Sequence, residues 1–222
     1  MLRDFIQLIY PKLCAGCGGN LNRNESAICT HCRLALPYTT YRFDNENPVA
    51  KVFWGRVPIQ SATSLTFFNK GTRIQQVLHE LKYNGNKESG TELGRLLGSS
   101  LPEASTGSID CIAPVPIHPK KLKIRGYNQA LLIAQGVSEA TNIPVRNDLL
   151  KRMQHTETQT KKGRESRWEN VKDLFGAAHT NIEGMHVLLV DDVITTGATL
   201  EACARHLVEN GANVSIATAA CA

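Results

Sequence analysis

The chain has 222 residues, which allows one standard domain of about 100–200 residues and a small additional module. Its 42% hydrophobic content, counted without glycine, is ordinary for a globular protein and excludes a disordered or membrane-spanning chain. The net charge of +5 fits polyphosphate or nucleic-acid ligands, but a solvated surface also explains it. The apolar stretch at residues 5–10 is too short for a signal peptide, so we expect a cytoplasmic protein without membrane insertion.

Four of the seven cysteines form two closely spaced pairs near the N-terminus, Cys14-x2-Cys17 and Cys29-x2-Cys32. Four thiolates complete the tetrahedron that Zn²⁺ prefers, and they leave no position open for water, so the predicted zinc site is structural. Two disulfides are the alternative. The odd number of cysteines and the reducing compartment disfavour them.

The remaining pattern divides the chain into three parts. We predict a zinc-ribbon module over residues 1–45 and a polar, proline-containing connector over residues 46–58. Residues 59–222 alternate between strand and helix patterns. Strands are predicted over 59–68, 109–115, 144–146, 186–190 and 214–218, and helices over 72–83, 91–101 and 127–141. This alternation predicts an α/β domain built on a doubly wound parallel sheet.

A proline-rich basic loop follows the strand predicted over 109–115. Its cations are Lys120, Lys121, Lys123 and Arg125. Cations at the carboxyl end of a parallel strand can neutralise a pyrophosphate, although a solvated basic loop is the alternative. A second segment, residues 152–171, is almost entirely polar and cannot build core. We expect it to close as a lid that excludes water, or to be a mobile surface loop.

The most informative run is residues 187–199, in which four apolar β-formers precede Asp191 and Asp192. Open α/β sheets bind ligands at the carboxyl ends of such buried strands. Residues 195–199 then lead into a helical pattern, whose N–H groups and positive end suit one phosphate. Gly197 permits a positive φ and leaves room for a phosphate oxygen. Carboxylates only accept hydrogen bonds, so they suit the hydroxyls of a pentose. The run therefore predicts a sugar-phosphate site.

Other strand motifs that carry acids fit this run less well. A receiver domain places its acid pair near the start of the fold, whereas this pair comes late in the chain. A Walker B strand needs a G-x-x-x-x-G-K-[ST] loop, which the sequence lacks. An ordinary strand-to-helix connection has no physical use for paired acids followed by T-T-G-x-T.

Residues 187–199 resemble the 5-phosphoribosyl 1-pyrophosphate (PRPP) motif of type I phosphoribosyltransferases. The resemblance implies that Asp191 and Asp192 contact the ribose hydroxyls and that residues 195–199 hold the 5′-phosphate. Together with the cysteine pairs, four further patterns extend the resemblance to the ComF family over nearly the whole chain. They are Pro114-Val115-Pro116, His118-Pro119, Arg125-Gly126-Tyr127-Asn128-Gln129, and the spacing of Thr156-x-x-Gln159 to Arg167-x-x-Asn170-Val171.

This resemblance implies a type I phosphoribosyltransferase-like domain that binds PRPP with Mg²⁺ and transfers the 5-phosphoribosyl group to an unidentified acceptor. The residues expected to act in catalysis are Asp191, Asp192, Arg125 and Arg167. Those expected to bind PRPP are Asp191, Asp192, Thr195, Thr196, Gly197, Ala198, Thr199, Pro114, Val115 and Lys121. The alternative is a non-enzymatic PRPP- or nucleotide-sensing adaptor in DNA uptake, which binds a helicase partner or single-stranded DNA.

Overall fold

The structure is a computed structural model, and it describes residues 11–152, 175–176 and 181–222. Its helices are α1 Thr30–Leu34, α2 Pro48–Lys51, α3 Arg73–Tyr83, α4 Lys87–Ser100, α5 Glu103–Thr106, α6 Pro119–Arg125, α7 Gln129–Thr141 and α8 Ala198–Glu209. Its strands are β1 Ser61–Phe67, β2 Cys111–Pro114, β3 Lys151–Arg152, β4 Phe175–Gly176, β5 His186–Ile194 and β6 Asn213–Cys221. None of the helices in the described ranges is long and apolar enough to cross a bilayer.

Four parallel strands form the central sheet, in the order β1-β6-β5-β2. Strand β5 lies inside the sheet, where Val190 pairs with Pro114 of β2 on one side and with Ala217 of β6 on the other. The apolar residues at 187–190 are all fully buried, as a strand covered on both faces requires. The predicted parallel α/β sheet is therefore confirmed, and β3 and β4 form a separate antiparallel pair.

Helices cover both faces of this sheet. Leu188 and Val190 face a core built with α3, α4 and α7, whereas Val187 and Leu189 face a second core built with α2 and α8. Neighbouring residues of a strand point to opposite faces, so the uninterrupted apolar run of β5 contributes to both cores. This arrangement is the doubly wound architecture expected from the sequence.

Helices α4 and α7 approach each other through glycine. A Cβ atom on Gly136 would lie 2.0 Å from the carbonyl oxygen of Thr91, and one on Gly94 would lie 2.0 Å from that of Ile133. Only a residue without a side chain allows two helix backbones to come this close. The contact fixes α7, whose first turn borders the cleft described below, against the rest of the domain.

The cysteine-containing region packs directly against the sheet domain. Its last residues run antiparallel to the edge strand β1, with bridges from Tyr38 to Thr66 and from Asp44 to Ala62. On the other side, the buried carboxylate of Glu92 in α4 accepts a hydrogen bond from Ser26 Oγ at 2.8 Å. The same carboxylate forms ion pairs with Arg33 and Arg95.

Local details differ from the sequence-based expectations at several places. Strand β5 continues through the acid pair to Ile194, because β6 keeps pairing with it as far as Cys221. The strand predicted over 144–146 is reduced to one bridge between Ile112 and Val145. The segment 46–58 contains α2 and the fully buried Phe53. The three-part division of the chain stays a prediction, and residues 153–171 of the predicted lid lie outside the described residues.

Candidate functional site

The two cysteine pairs meet in one cluster. The Sγ atoms of Cys14, Cys17, Cys29 and Cys32 all lie within 4.8 Å of one another, and those of Cys17 and Cys29 are 3.9 Å apart. A tetrahedral Zn²⁺ with bonds of about 2.3 Å places its sulfur ligands about 3.8 Å apart, so the cluster can hold such an ion.

Backbone N–H groups point at the sulfur atoms of this cluster. Cys14 Sγ accepts from the N–H groups of Gly16 at 3.3 Å and Cys29 at 3.2 Å, and Cys29 Sγ accepts from that of Cys32 at 3.4 Å. Burial alone would raise the pKa of Cys14, but these donors outweigh it and lower the pKa to about 7. Burial raises the pKa of Cys32. The N–H groups stabilise the thiolate form that binds metal, so the donor set suits Zn²⁺.

The acid pair of β5 opens into a cleft of about 230 Å³ at the carboxyl edge of the sheet. Asp191 and Asp192 are partly accessible, and the N–H group of Asp192 donates to Asp191 Oδ1 at 2.8 Å. The cleft is polar, and its cationic side chains are Lys82, Lys121, Arg125 and Arg152. Two carboxyl groups and several cationic side chains line the same cleft, and together they suit a ligand that has both hydroxyl and phosphate groups.

One wall of the cleft is the basic loop after β2. It passes into α6, where His118 Nδ1 accepts from the N–H group of Lys120 and so caps the helix rather than pointing freely into solvent. Arg125, the last residue of α6, donates from Nη1 to Gln129 Oε1 at 2.9 Å. Asn128 Nδ2 donates to the carbonyl oxygen of Val115 at 2.9 Å, which ties the start of α7 to the start of the loop.

The opposite end of the cleft is the loop between β5 and α8. A smaller cavity of about 60 Å³ is lined by Asp191 and residues 193–200. The loop presents the exposed residues Thr195, Thr196, Ala198 and Thr199. Helix α8 begins directly after it, so the unpaired N–H groups and positive end of a 12-residue helix face the cavity. This geometry suits a phosphate group.

Gly197 caps α8 with a φ of +74°, a conformation that side chains rarely adopt. A Cβ atom there would lie 2.6 Å from Val52 Cγ1, so the glycine also makes room for the segment that follows α2. The room for a phosphate oxygen that the sequence predicts at Gly197 stays a prediction. From the same side, Arg56 Nη1 donates to the carbonyl oxygen of Thr196 at 3.0 Å, and Arg56 forms an ion pair with Glu201.

The charge on the acid pair is the main electrostatic feature of the cleft. Burial, reinforced by the neighbouring Asp192, raises the pKa of Asp191 from its ordinary value of 3.8 to about 8. Lys82 and Lys121 oppose this shift only in part. Since the folded protein holds this proton more tightly than the unfolded chain, unliganded Asp191 reduces stability progressively as the pH rises from about 4 to 8.

Most of the residues selected from sequence come together here. Those that line the two neighbouring cavities are Asp191, Asp192, Val115, Lys121, Arg125, Thr195, Thr196, Gly197, Ala198 and Thr199. Pro114 is buried at the end of β2 and does not line them, and Arg167 lies outside the described residues.

Several residues that sequence reasoning did not select also shape the site. They are Lys82, Asn128, Gln129, Arg152 and Arg56. The pattern over residues 125–129 offered a signal for Asn128 and Gln129, because it stands out within the basic loop. No local signal identifies Lys82 or Arg56, since each reaches the site from an element distant in sequence.

Comparison with known proteins gives consistent relatives. A family model described as a phosphoribosyl transferase domain matches residues 128–222, which contain β5, the following loop and α8. Competence protein F of Haemophilus influenzae is 31% identical over 222 residues, spanning 94% of this chain and 90% of that protein. Competence protein ComFC of Bacillus subtilis is 26% identical over 211 residues, spanning 93% of this chain and 82% of that protein.

Among solved structures, the chain is similar to glutamine phosphoribosylpyrophosphate amidotransferase from Bacillus subtilis in complex with ADP and GMP. The two share 21% identity with a TM-score of 0.42, over 62% of this chain and 30% of the other.

Proposed function

Because the chain belongs to the ComF family and has a phosphoribosyl transferase domain, we propose that it binds PRPP with Mg²⁺ and transfers the 5-phosphoribosyl group to an acceptor. One observation carries this proposal. The acid pair, the loop at the start of α8 and the basic loop after β2 line two cavities at one edge of the sheet, and these cavities share Asp191, Val193 and Thr199. The ribose, the 5′-phosphate and the pyrophosphate of PRPP would each lie next to protein groups of complementary charge or hydrogen-bonding capacity.

In this proposal, the carboxylates of Asp191 and Asp192 accept hydrogen bonds from the ribose hydroxyls, and residues 195–199 hold the 5′-phosphate. Lys121 and Arg125 face the pyrophosphate, together with Arg167 of the segment outside the described residues. Mg²⁺ that binds together with PRPP would supply positive charge to the leaving group.

Transfer then depends on positioned charges. As the bond between C1 and the pyrophosphate oxygen stretches, positive charge develops on the ribose ring and negative charge on the pyrophosphate. The two carboxylates lie on the side of the developing cation, and the basic loop lies on the side of the developing anion. Groups fixed in advance of the reaction stabilise such charges without reorganising during it.

We further propose that the cysteine cluster holds a structural zinc ion within the N-terminal module of residues 1–45, which residues 46–58 connect to the domain of residues 59–222. All four ligand positions are taken by thiolates, so the ion contributes folding free energy. The reduced thiols that this requires persist in the cytoplasm, which is where we place the protein.

Titration of PRPP with Mg²⁺ into the wild-type chain tests the binding step. We expect the double variant Asp191→Asn and Asp192→Asn to bind PRPP about 30-fold more weakly, a loss of about 2 kcal/mol, because two acceptors for the ribose hydroxyls become amides. Both side chains keep their size, so the fold should be retained. Isothermal calorimetry measures the affinity.

The matched control is the double variant Asp110→Asn and Asp148→Asn, since these carboxylates bond to the His186 N–H group and to Arg146 outside the two cavities. It should bind PRPP as the wild type does. If the double variant at Asp191 and Asp192 bound PRPP as tightly as the wild type does, the roles assigned to these two residues would be wrong. A wild-type chain that does not bind PRPP would reject the proposed function.

Sugar binding should also release a proton near neutral pH. Asp191 is largely protonated at pH 7 because its pKa is about 8, and a ribose hydroxyl that donates to this side chain favours its ionised form. We expect up to about one proton released per ribose 5-phosphate bound at pH 7 and almost none at pH 9. Calorimetry in buffers of different ionisation enthalpy measures it. Binding enthalpies at pH 7 that do not depend on the buffer would contradict this prediction.

The relatives named Competence protein F and Competence protein ComFC support a role for this chain in competence, with the phosphoribosyltransferase-like site acting in that process. A screen for pyrophosphate release from PRPP against a panel of bases and amines separates the two forms of the proposal. Release with one acceptor supports an enzyme. Tight PRPP binding without release supports a sensing adaptor that contacts a helicase partner or single-stranded DNA.

A further inference from the structure

The last turn of α3 delivers Lys82 directly to the acid pair. Lys82 Nζ lies 2.8 Å from Asp192 Oδ2, and both side chains are largely buried, with exposed fractions of 22% and 16%. Helix α3 follows β1, so it is far in sequence from the motif that supplies the acids.

Two adjacent carboxylates in a partly buried cleft need compensating positive charge. When a bound sugar favours the ionised form of Asp191, two negative charges lie side by side there, and like charges in a partly buried site repel each other. Lys82 supplies one positive charge at contact distance, and it occupies one oxygen of Asp192 only. A carboxylate offers about four acceptor sites on its two oxygens. Asp192 can therefore bind Lys82 and still accept a hydrogen bond from a ligand.

The position of Lys82 is fixed on both sides. The preceding residue, Leu81, accepts a hydrogen bond at its carbonyl oxygen from Tyr127 Oη at 2.5 Å. The following residue, Tyr83, carries the guanidinium group of Arg125 over its ring, 5.4 Å from the centroid. Both partners come from the basic loop and the turn that follows it. The end of α3 is thus held by the same elements that form the pyrophosphate side of the cleft.

We propose that Lys82 is a positioning residue of the sugar subsite. It orients the Asp192 carboxylate and balances its charge, so that the free oxygen accepts a hydrogen bond from a pentose hydroxyl. The inference rests on the proposed function and adds to it: recognition of the sugar depends on a lysine outside the motif. Phosphate recognition at residues 195–199 does not depend on it.

Calorimetric titration of the full, zinc-loaded chain with two probes, ribose 5-phosphate and inorganic phosphate, tests this proposal without Mg²⁺. We expect Lys82→Met to weaken ribose 5-phosphate binding about tenfold more than it weakens phosphate binding, a difference of about 1.4 kcal/mol. Lys82→Arg restores a cation at the carboxylate and should stay within about threefold of the wild type. The control is Lys12→Met, which removes an equal charge from a lysine that is paired with Glu88 outside both cavities. It should leave the ratio of the two affinities unchanged.

A double-mutant cycle separates positioning from a general structural effect. In an Asp192→Asn background, Lys82→Met should change ribose 5-phosphate affinity less than about twofold, because the carboxylate that Lys82 orients is gone. If Lys82→Met does not fold, Lys82→Gln keeps a hydrogen-bond donor without the charge, and it should weaken sugar binding in the same direction.

The outcomes are distinct. A wild-type chain that prefers ribose 5-phosphate to phosphate, with the same preference in Lys82→Met or Lys82→Gln, overturns the role of Lys82 and leaves the proposed function intact. A wild-type chain that binds ribose 5-phosphate no better than phosphate overturns both.

Discussion

Replacing Gly136 by alanine should reduce the free energy of unfolding by about 3–5 kcal/mol, a large part of the stability of a typical domain. The new Cβ atom would lie 2.0 Å from the carbonyl oxygen of Thr91 and 2.8 Å from the backbone nitrogen of Arg95. Both are backbone atoms of α4, so no side chain can turn away to make room. The helices must separate, and the core between them and the sheet loses its packing.

Urea unfolding followed by circular dichroism measures this loss. The matched control is Gly107→Ala at the end of α5, where the nearest atom to the new Cβ is 3.6 Å away and φ is −63°. At a position with ordinary φ and free space, alanine should be neutral or should stabilise the protein by about 0.5–1 kcal/mol. If Gly136→Ala proved as stable as Gly107→Ala, the close contact between α4 and α7 would be wrong.

Replacing Cys32 by serine should abolish stoichiometric zinc binding and destabilise the protein by about 4 kcal/mol or more. Cys32 is fully buried, and its sulfur lies in the same cluster as those of Cys14, Cys17 and Cys29. Metal binding stabilises the folded state in proportion to its affinity, so loss of one ligand removes much of that contribution. The wild-type chain treated with a strong chelator should show a comparable fall in melting temperature.

Metal analysis of the purified chain and thermal unfolding with and without chelator make both measurements. Cys221→Ser is the control, because Cys221 lies at the end of β6 outside the cluster and should keep one zinc ion per chain. A Cys32→Ser chain that retains the wild-type zinc content would show that the four cysteines do not share one ion. Such a result would favour the alternative in which the cysteine pairs form disulfides.

The parts of the fold that depend on local pattern were predictable. The buried strand, the acids after it and the glycine at the start of α8 follow each other within thirteen residues, so one stretch of sequence predicts strand, turn and helix together. The cysteine pairs are equally local. The spacing within each pair makes a shared cluster the natural expectation, and the structure brings all four sulfur atoms together.

Helix α4 shows why other parts were less predictable. The apolar pattern indicated a helix only from residue 91, whereas α4 begins at Lys87, with Asn86 as its cap. Its first turn, residues 87–90, carries no apolar side chain, so the periodicity of apolar residues does not indicate it. Gly94 weakens a helix when considered alone. Glycine is needed at this position because the backbone of α7 approaches α4 there, and this approach depends on the tertiary structure.

Within the candidate site, the same division holds. Asp191 and Asp192 belong to a motif, and their place at the edge of the sheet follows from the strand that carries them. Lys82 and Arg56 reach the site across more than 100 residues of sequence, from a helix and from the segment before β1. A lysine on the polar side of an amphipathic helix is indistinguishable from a solvated one until the tertiary structure is known.

The buried carboxylate of Glu92 ties the cysteine-containing region to α4. Two of its three partners, Ser26 and Arg33, precede residue 46, and only Arg95 belongs to the sheet domain. A truncated chain that lacked those first residues would expose the edge of β1 and leave a partly compensated negative charge beneath the new surface. Assays of the phosphoribosyl transferase domain therefore need the whole polypeptide, since an excised domain would lose part of its packing.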